Sequence, residues 1–129
     1  EFDYAFAISA PIARVEEEKM LRTVDFQKGQ EALSYFNVLN YFPNNNYSLL
    51  QLQLATGRTH QIRVHLSYLS CPLLGDSLYG NGEESIVSQN IGLSRQALHS
   101  YSISFTHPIG KEKMFFKREL PPDLSLLLQ

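Results

Sequence analysis

Along the first half of the chain apolar and polar positions alternate with a period of two, the spacing that puts every second side chain on one face of a β-strand. A short strand is predicted over Tyr4 to Ile8, followed by Ala10-Pro11-Ile12, where the proline cannot donate to a central ladder. Glu16 to Lys19 reads as a solvated charged stretch. From Glu31 to Phe42 β-branched and aromatic residues alternate with small or polar ones, and Leu50, Leu52 and Leu54 alternate with Gln51 and Gln53. Both stretches fit strands with one buried face. Between them Pro43-Asn44-Asn45-Asn46 supplies turn chemistry, because asparagine tolerates positive φ and bonds its own backbone, so a hairpin with an exposed tip is predicted.

After Leu54 the period lengthens to about 3.6. Gly57 is read as the residue that permits a sharp backbone angle at the change, Thr59 as an N-cap, and Ile62, Leu66 and Leu69 as the inward face of a helix. At about 100° per residue, His60, Arg63 and Ser67 share a different sector about 60° wide. Arg63 therefore projects from the first turns of a helix whose opposite side is fixed in the core. Residues 81–94 read as a loop with a short helical turn around Ile86. Leu98 to Thr106 alternates again, with Tyr101, Ile103 and Phe105 on one face. His107-Pro108-Ile109-Gly110 makes a turn, and Lys113 to Glu119 pairs back as a second hairpin. Pro121-Pro122 ends the strand, Asp123 caps, and Leu124, Leu127 and Leu128 form the inner face of a terminal helix. The order hairpin, helix, loop, hairpin, helix predicts an α+β fold with a mainly antiparallel sheet and a few helices.

Composition bounds the reading. With 129 residues, 43% hydrophobic and 19% charged, the chain suits one core, so one domain or a piece of one is expected. A net charge of -2 and a pI of about 6.1 give no global attraction to nucleic acid, so polyanion binding must rest on a local patch. Such a patch lies between Arg58 and His65, where two arginines and two histidines occur with no acid. The single cysteine, Cys71, forms no internal disulfide and no metal cluster, and its apolar neighbours predict a buried small hydrophobe. No apolar run reaches membrane-spanning length and no secretory signal is evident, so a cytoplasmic protein without a membrane partner is expected. The chain starts without methionine, which suggests a piece cut from something longer.

Several chemistries fail against these residues. His60 and His65 stand about 140° apart on a helix, whereas a helical zinc pair needs i, i+4 on one face. There is no Gly-x-Ser-x-Gly elbow and no Gly-x-x-x-x-Gly-Lys loop. What remains is a glycine-preceded helix start with Arg58 beside it, a geometry that binds phosphate through backbone amides, helix dipole and guanidinium, with Thr59 and His60 adding hydrogen bonds. Gly75 to Gly80 places Asp76 between glycines as a structural turn, with Tyr79 toward the same cleft.

The run Gly57 to Leu66, Gly-Arg-Thr-His-Gln-Ile-Arg-Val-His-Leu, closely resembles the signature of the RluA-type family of RNA pseudouridine synthases. Gly75-Asp76-Ser77-Leu78-Tyr79-Gly80 and Arg95-Gln96-Ala97-Leu98-His99 resemble that family in the same order. So do Ser9-Ala10-Pro11-Ile12 and the ending from Ser104-Phe105-Thr106-His107-Pro108 to Leu120-Pro121. The resemblance implies the C-terminal half of a pseudouridine synthase catalytic domain, spanning residues 1–129. It implies an isomerase that breaks the bond between uracil N1 and ribose C1′, turns the base and rejoins it through C5, with no metal and no organic cofactor. The partner implied is ribosomal or transfer RNA, whose uridine is flipped from the stack at a cost of a few kcal/mol, and the whole enzyme is expected to be a monomer.

In that family an arginine pairs with the nucleophilic aspartate of an Arg-Leu-Asp motif, and Arg63 matches that catalytic position. Arg58, Thr59, His60, Gln61 and Tyr79 are the candidate RNA-binding residues, and Leu98 matches a position that lines the pocket. This chain contains no Arg-Leu-Asp. By itself it is expected to bind RNA weakly and to turn over nothing. Two other readings stay open: a non-catalytic RNA-binding module that uses the same basic cleft, and a structural α+β domain whose arginines sit in ion pairs.

Overall fold

A computed structural model describes residues 3–80, 82, 89 and 91–129. They form two compact units, Glu1–Gln96 and Ala97–Gln129. The first holds β1 (Phe6–Ser9), β2 (Ile12–Val15), β3 (Glu18–Val24), β4 (Leu33–Phe42), β5 (Tyr47–Leu54) and α1 (Gln61–Tyr68). The predicted hairpin is β4 and β5, with Asn46 at φ 53° in its turn. β4 is the centre of a three-stranded antiparallel sheet in the order β1-β4-β5, with Phe6 opposite Phe36 and Ile8 opposite Ser34.

The stretch expected to be merely solvated is instead the tip of a second hairpin, β2 with β3. A run of charges hides the alternation there, and the register shifts between Arg14 and Val15, so no uninterrupted period of two survives in the sequence. Its tip residue Glu16 stays exposed and pairs with Lys28 at 3.3 Å.

The helix α1 packs on this framework through two small clusters. Leu66 meets Ile8 and Ala10, with Val24, Phe36, Leu50, Ile62 and Leu73 around them. Val64 meets Ile12 and Ala32. Each fully buried leucine or valine of this kind contributes about 1.5–3 kcal/mol. The inward face is Gln61, Val64, His65 and Leu66, which corrects the expected stripe: Leu69 is 42% exposed and Ile62 only half-buried.

Two polar side chains explain the helix's rotation. His65 is completely buried, its Nε2 donating to the Ala10 carbonyl at 2.8 Å. That leaves Nδ1 to accept from the Ser34 hydroxyl at 2.8 Å. Gln61 bonds inward as well, so apolar spacing alone misplaces the face. At the C-terminal end Ser70 takes φ 61°, and the N–H groups of Ser70 and Cys71 bond back to Ser67 and Leu66, both at 2.9 Å. This turn carries Cys71 outward, and it is exposed rather than buried.

The second unit consists of β6 (Ser102–Thr106) paired antiparallel with β7 (Lys113–Lys117), then α2 (Pro122–Ser125) and a 3-10 turn (Leu126–Leu128). The Phe105 and Phe116 rings stack at 6.0 Å. Pro121, not Asp123, occupies the N-cap, while Asp123 lies in the first turn and accepts the Leu124 N–H at 3.0 Å. Leu124 is buried, and Leu127 and Leu128 are half-buried, as the leucine spacing requires. The helical turn expected around Ile86 lies outside the described residues. The described strands pair only antiparallel, so the fold is α+β with mainly antiparallel sheets. Among the described residues no helix is long and apolar enough to cross a membrane.

Because His65 joins α1 to two other segments inside the core, His65→Ala is expected to cost about 3 kcal/mol, from the cavity and from the orphaned Ser34 hydroxyl hydrogen and Ala10 carbonyl. Urea unfolding should show a lower midpoint at an unchanged slope, and a midpoint equal to that of the native chain would refute this role.

Candidate active site

The loop that enters α1 is held by one side chain. Gln61 Oε1 accepts the Arg58 N–H at 3.0 Å and the Thr56 hydroxyl at 2.7 Å. Its Nε2 donates to the Leu33 carbonyl at 3.0 Å and to Ser34 Oγ at 2.9 Å. Gln61, named from the sequence as an RNA-binding candidate, is thereby saturated and buried and holds the entry of the helix in place. Thr59 is exposed and does not cap the helix. The N-cap is His60, at φ 57° and ψ 23°, with no side-chain cap bond. The sharp angle assigned to Gly57 belongs to His60, since Gly57 has no left-handed φ and open space around it. A non-glycine residue in this region is uncommon, histidine being among the more tolerant types, and such residues cluster at functional sites.

The sector that the sequence assigned to His60, Arg63 and Ser67 does converge, on the turn 75–80. Ser67 Oγ donates to the Tyr79 carbonyl at 2.8 Å. The Arg63 guanidinium lies 5.1 Å from the centre of the Tyr79 ring. Tyr79 Oη accepts the Arg22 backbone N–H at 3.0 Å, and its hydrogen is directed to His60 Nδ1 at 2.7 Å. Tyr79 is therefore a half-buried strut between β3 and α1, where the sequence had suggested a residue facing an open cleft.

Arg63 already pairs with an acid of this chain. Its Nε and Nη2 reach the two oxygens of Asp76 at 3.0 and 2.8 Å, a side-on bidentate pair. Asp76 is fully buried, and its Oδ1 also accepts the N–H groups of Leu78 and Tyr79, both at 3.1 Å. Burial by itself would raise this carboxyl's pKa, but the Arg63 hydrogen bond and the two backbone donors outweigh it and hold it below the usual value. The same hydrogen bond raises Arg63. His60 is depressed by burial first, then by the charges of Arg63 and Arg22.

The remaining expected site residues are distributed differently. Arg58 is half-buried and donates from Nε to the Glu31 carbonyl at 2.7 Å, which fixes its stem against the start of β4. Leu98 belongs to the second unit, where it is half-buried. Two participants went unrecognised: Asp76 as the partner of Arg63, and Arg22 through its backbone N–H. The signal for Asp76 was an acid in a Gly-Asp turn following a helix that carries an arginine off its core face. For Arg22 no sequence signal existed, because a backbone amide carries no residue identity.

Residues 3–68, which include β1 to β5 and the whole of α1, match the profile of the family described as RNA pseudouridylate synthase. The chain belongs to the RNA pseudouridylate synthase family. Among its relatives the "Uncharacterized RNA pseudouridine synthase YjbO" of Bacillus subtilis (strain 168) is 45% identical over 122 residues, 95% of this chain and 40% of that protein. The ribosomal large subunit pseudouridine synthase D of Zymomonas mobilis subsp. mobilis is 37% identical, across 95% of this chain and 39% of its own length. The structure of human RNA pseudouridylate synthase domain containing 1 superposes with a TM-score of 0.74 at 27% identity, covering 92% of this chain and 50% of that one. The chain thus spans about two fifths of the length of these curated relatives.

The depressed His60 and Asp76 act on stability with the same sign. The unfolded chain takes up each proton at a higher pH than the folded one. Each contribution is therefore complete above the unfolded value, about 6.5 for the histidine and 3.9 for the aspartate, and is lost as pH falls through the folded value. His60→Asn keeps a residue tolerant of left-handed φ and removes the first of these titrations. Urea midpoints measured between about pH 7 and 5 should fall less steeply for the variant than for the native chain; superimposable profiles would show that His60 does not titrate differently on folding.

Proposed function

We propose that this chain is the C-terminal half of the catalytic domain of an enzyme that isomerises uridine to pseudouridine in ribosomal or transfer RNA, in the cytoplasm. The observation that carries the reading is the geometry of Arg63. Its side-on edge is taken by Asp76, while Nη1 and the second hydrogen of Nη2 have no partner among the described residues, and its side chain keeps 15% of its exposure. An end-on fork of this kind takes a second carboxylate in two parallel hydrogen bonds. In the proposed enzyme that carboxylate is the nucleophilic aspartate, carried by a part of the domain outside these residues, since no Arg-Leu-Asp occurs here. Arg63 holds the aspartate ionised and aimed at the uridine. His60 offers its Nε2–H beside it, and Arg58 and Thr59 lie along the RNA path.

The exposed apolar surface supports a longer domain. A groove of about 370 Å³ is lined by Phe6, Phe26, Phe36, Tyr68 and Leu69, with Phe6 51% and Phe26 67% exposed. Apolar surface of this kind marks a site where something else packs. The whole enzyme is proposed to be a monomer in which the remaining part of the domain covers it.

Two assays test the reading. Incubated alone with structured, uridine-containing RNA, the 129-residue chain should yield no pseudouridine by mass spectrometry. Joined to the part of YjbO that it does not cover, it should yield it, and Arg63→Lys in that chimera should lower kcat by about 100-fold or more. Lysine keeps a cation opposite Asp76 but loses the fork, and misplacement by about 1 Å can cost a hundredfold. A folded chimera that forms no product, or an Arg63→Lys variant with native turnover, would overturn the assignment.

A further inference from the structure

The buried carboxylate of Asp76 takes one edge of Arg63, and what it leaves uncovered is specific. A guanidinium has five N–H donors: one on Nε and two on each Nη. Asp76 takes the Nε–H and one Nη2–H, both from one edge. Asp76 is itself immobile, because its Oδ1 is fixed by the N–H groups of Leu78 and Tyr79 and its own N–H bonds the Leu73 carbonyl at 3.2 Å. The Tyr79 ring closes over the guanidinium plane, and Tyr79 is in turn held at both its carbonyl and its hydroxyl. Rotation about the last bonds of Arg63 is thus blocked from the edge and from the face.

We propose that Asp76 is a positioning residue with two effects on Arg63. It fixes the end-on edge outward as a rigid two-donor fork, and it cancels the cation's charge so that RNA phosphates do not capture that fork. A free surface arginine is drawn to any phosphate by charge alone. Paired with a buried aspartate it keeps direction without net charge, so it favours a planar bidentate acceptor, a carboxylate, over the diffuse field of a polyanion. The inference rests on the reading of Arg63 given above, yet it fails separately. Native turnover by Arg63→Lys sinks that reading, whereas the measurements below concern Asp76 alone.

The test uses the full 129-residue chain. In the native chain the Nη signals of Arg63 should be resolved by ¹⁵N NMR in slow exchange, as for a guanidinium whose rotation is blocked. A single averaged signal overturns the proposal whatever the variants do. Asp76→Asn retains an oxygen for the two backbone donors but opposes an amide to Nε, so Arg63 is released as a free cation. The Nη signals should then average. Affinity for a single-stranded RNA oligonucleotide should become more salt-dependent by about one phosphate contact, an extra loss of roughly 2.6-fold between 50 and 200 mM salt from a single-strand slope of about 0.7 per contact. Asp76→Glu, which restores the charge, should return the salt dependence toward the native one. A merely structural role would alter stability and leave the salt slope unchanged. An unchanged slope in a folded Asp76→Asn chain therefore refutes the proposal, and where that variant does not fold, the native Nη signals decide.

Discussion

Gln61 uses every hydrogen-bonding capacity it has inside the protein, and this fixes where everything downstream on α1 points. Two acceptor sites hold Thr56 and Arg58, and two donors hold Leu33 and Ser34. One turn later His65 repeats the attachment through Ser34 and Ala10. Residues four apart lie on one helical face, so Gln61 and His65 together set the helix's rotation. Rotation in turn decides that His60, Arg63 and Ser67 face the turn at 75–80 and not the sheet. A leucine stripe specifies such a face only loosely, because apolar contacts tolerate sliding and rotation, whereas a saturated amide in a dry core tolerates neither.

The electrostatics follow from that placement. Two arginines and two histidines in eight residues suggest a positive field, but the fold dissolves it. His65 is consumed in the core, Arg58 leans on a backbone carbonyl, and Arg63 is neutralised by Asp76. His60 is pushed toward its neutral form by burial and by two neighbouring cations. What is left is a set of directed donors on a rigid mount. A net charge of -2 is no obstacle to a site of this kind, since it works by hydrogen-bond geometry more than by long-range attraction.

How much of this was legible in the sequence depended on the range of the interaction involved. The β4–β5 hairpin was readable because period and turn chemistry are local, and Asn46 takes the positive φ that its residue type allows. The convergence of His60, Arg63 and Ser67 was readable because helix geometry relates them without any tertiary knowledge. The role of Gln61 was not: an amide between His60 and Ile62 shows nothing of its partners until Leu33 and Ser34, more than twenty residues away, are in place. The left-handed turn was assigned to the residue type that makes it easiest, Gly57, and is instead adopted by His60, where its strain is offset by the bond to Tyr79. The pair of Arg63 with Asp76 crosses thirteen residues and a change of direction, a distance over which no spacing rule operates.

That change of direction is itself tightly constrained. Gly75 sits at φ 74°, and a side chain there would run into the backbone carbonyl of Arg95. Only glycine therefore allows the chain to turn at this point and bring Asp76 under Arg63. Asp76 then builds its own turn by accepting the N–H groups of Leu78 and Tyr79, which places the Tyr79 ring over the guanidinium it has just bound. One carboxylate thus fixes both its ionic partner and the aromatic surface that covers it. The glycine-aspartate turn and the arginine of the helix signature are one device read in two places along the chain, which is a physical reason for the two blocks to occur together.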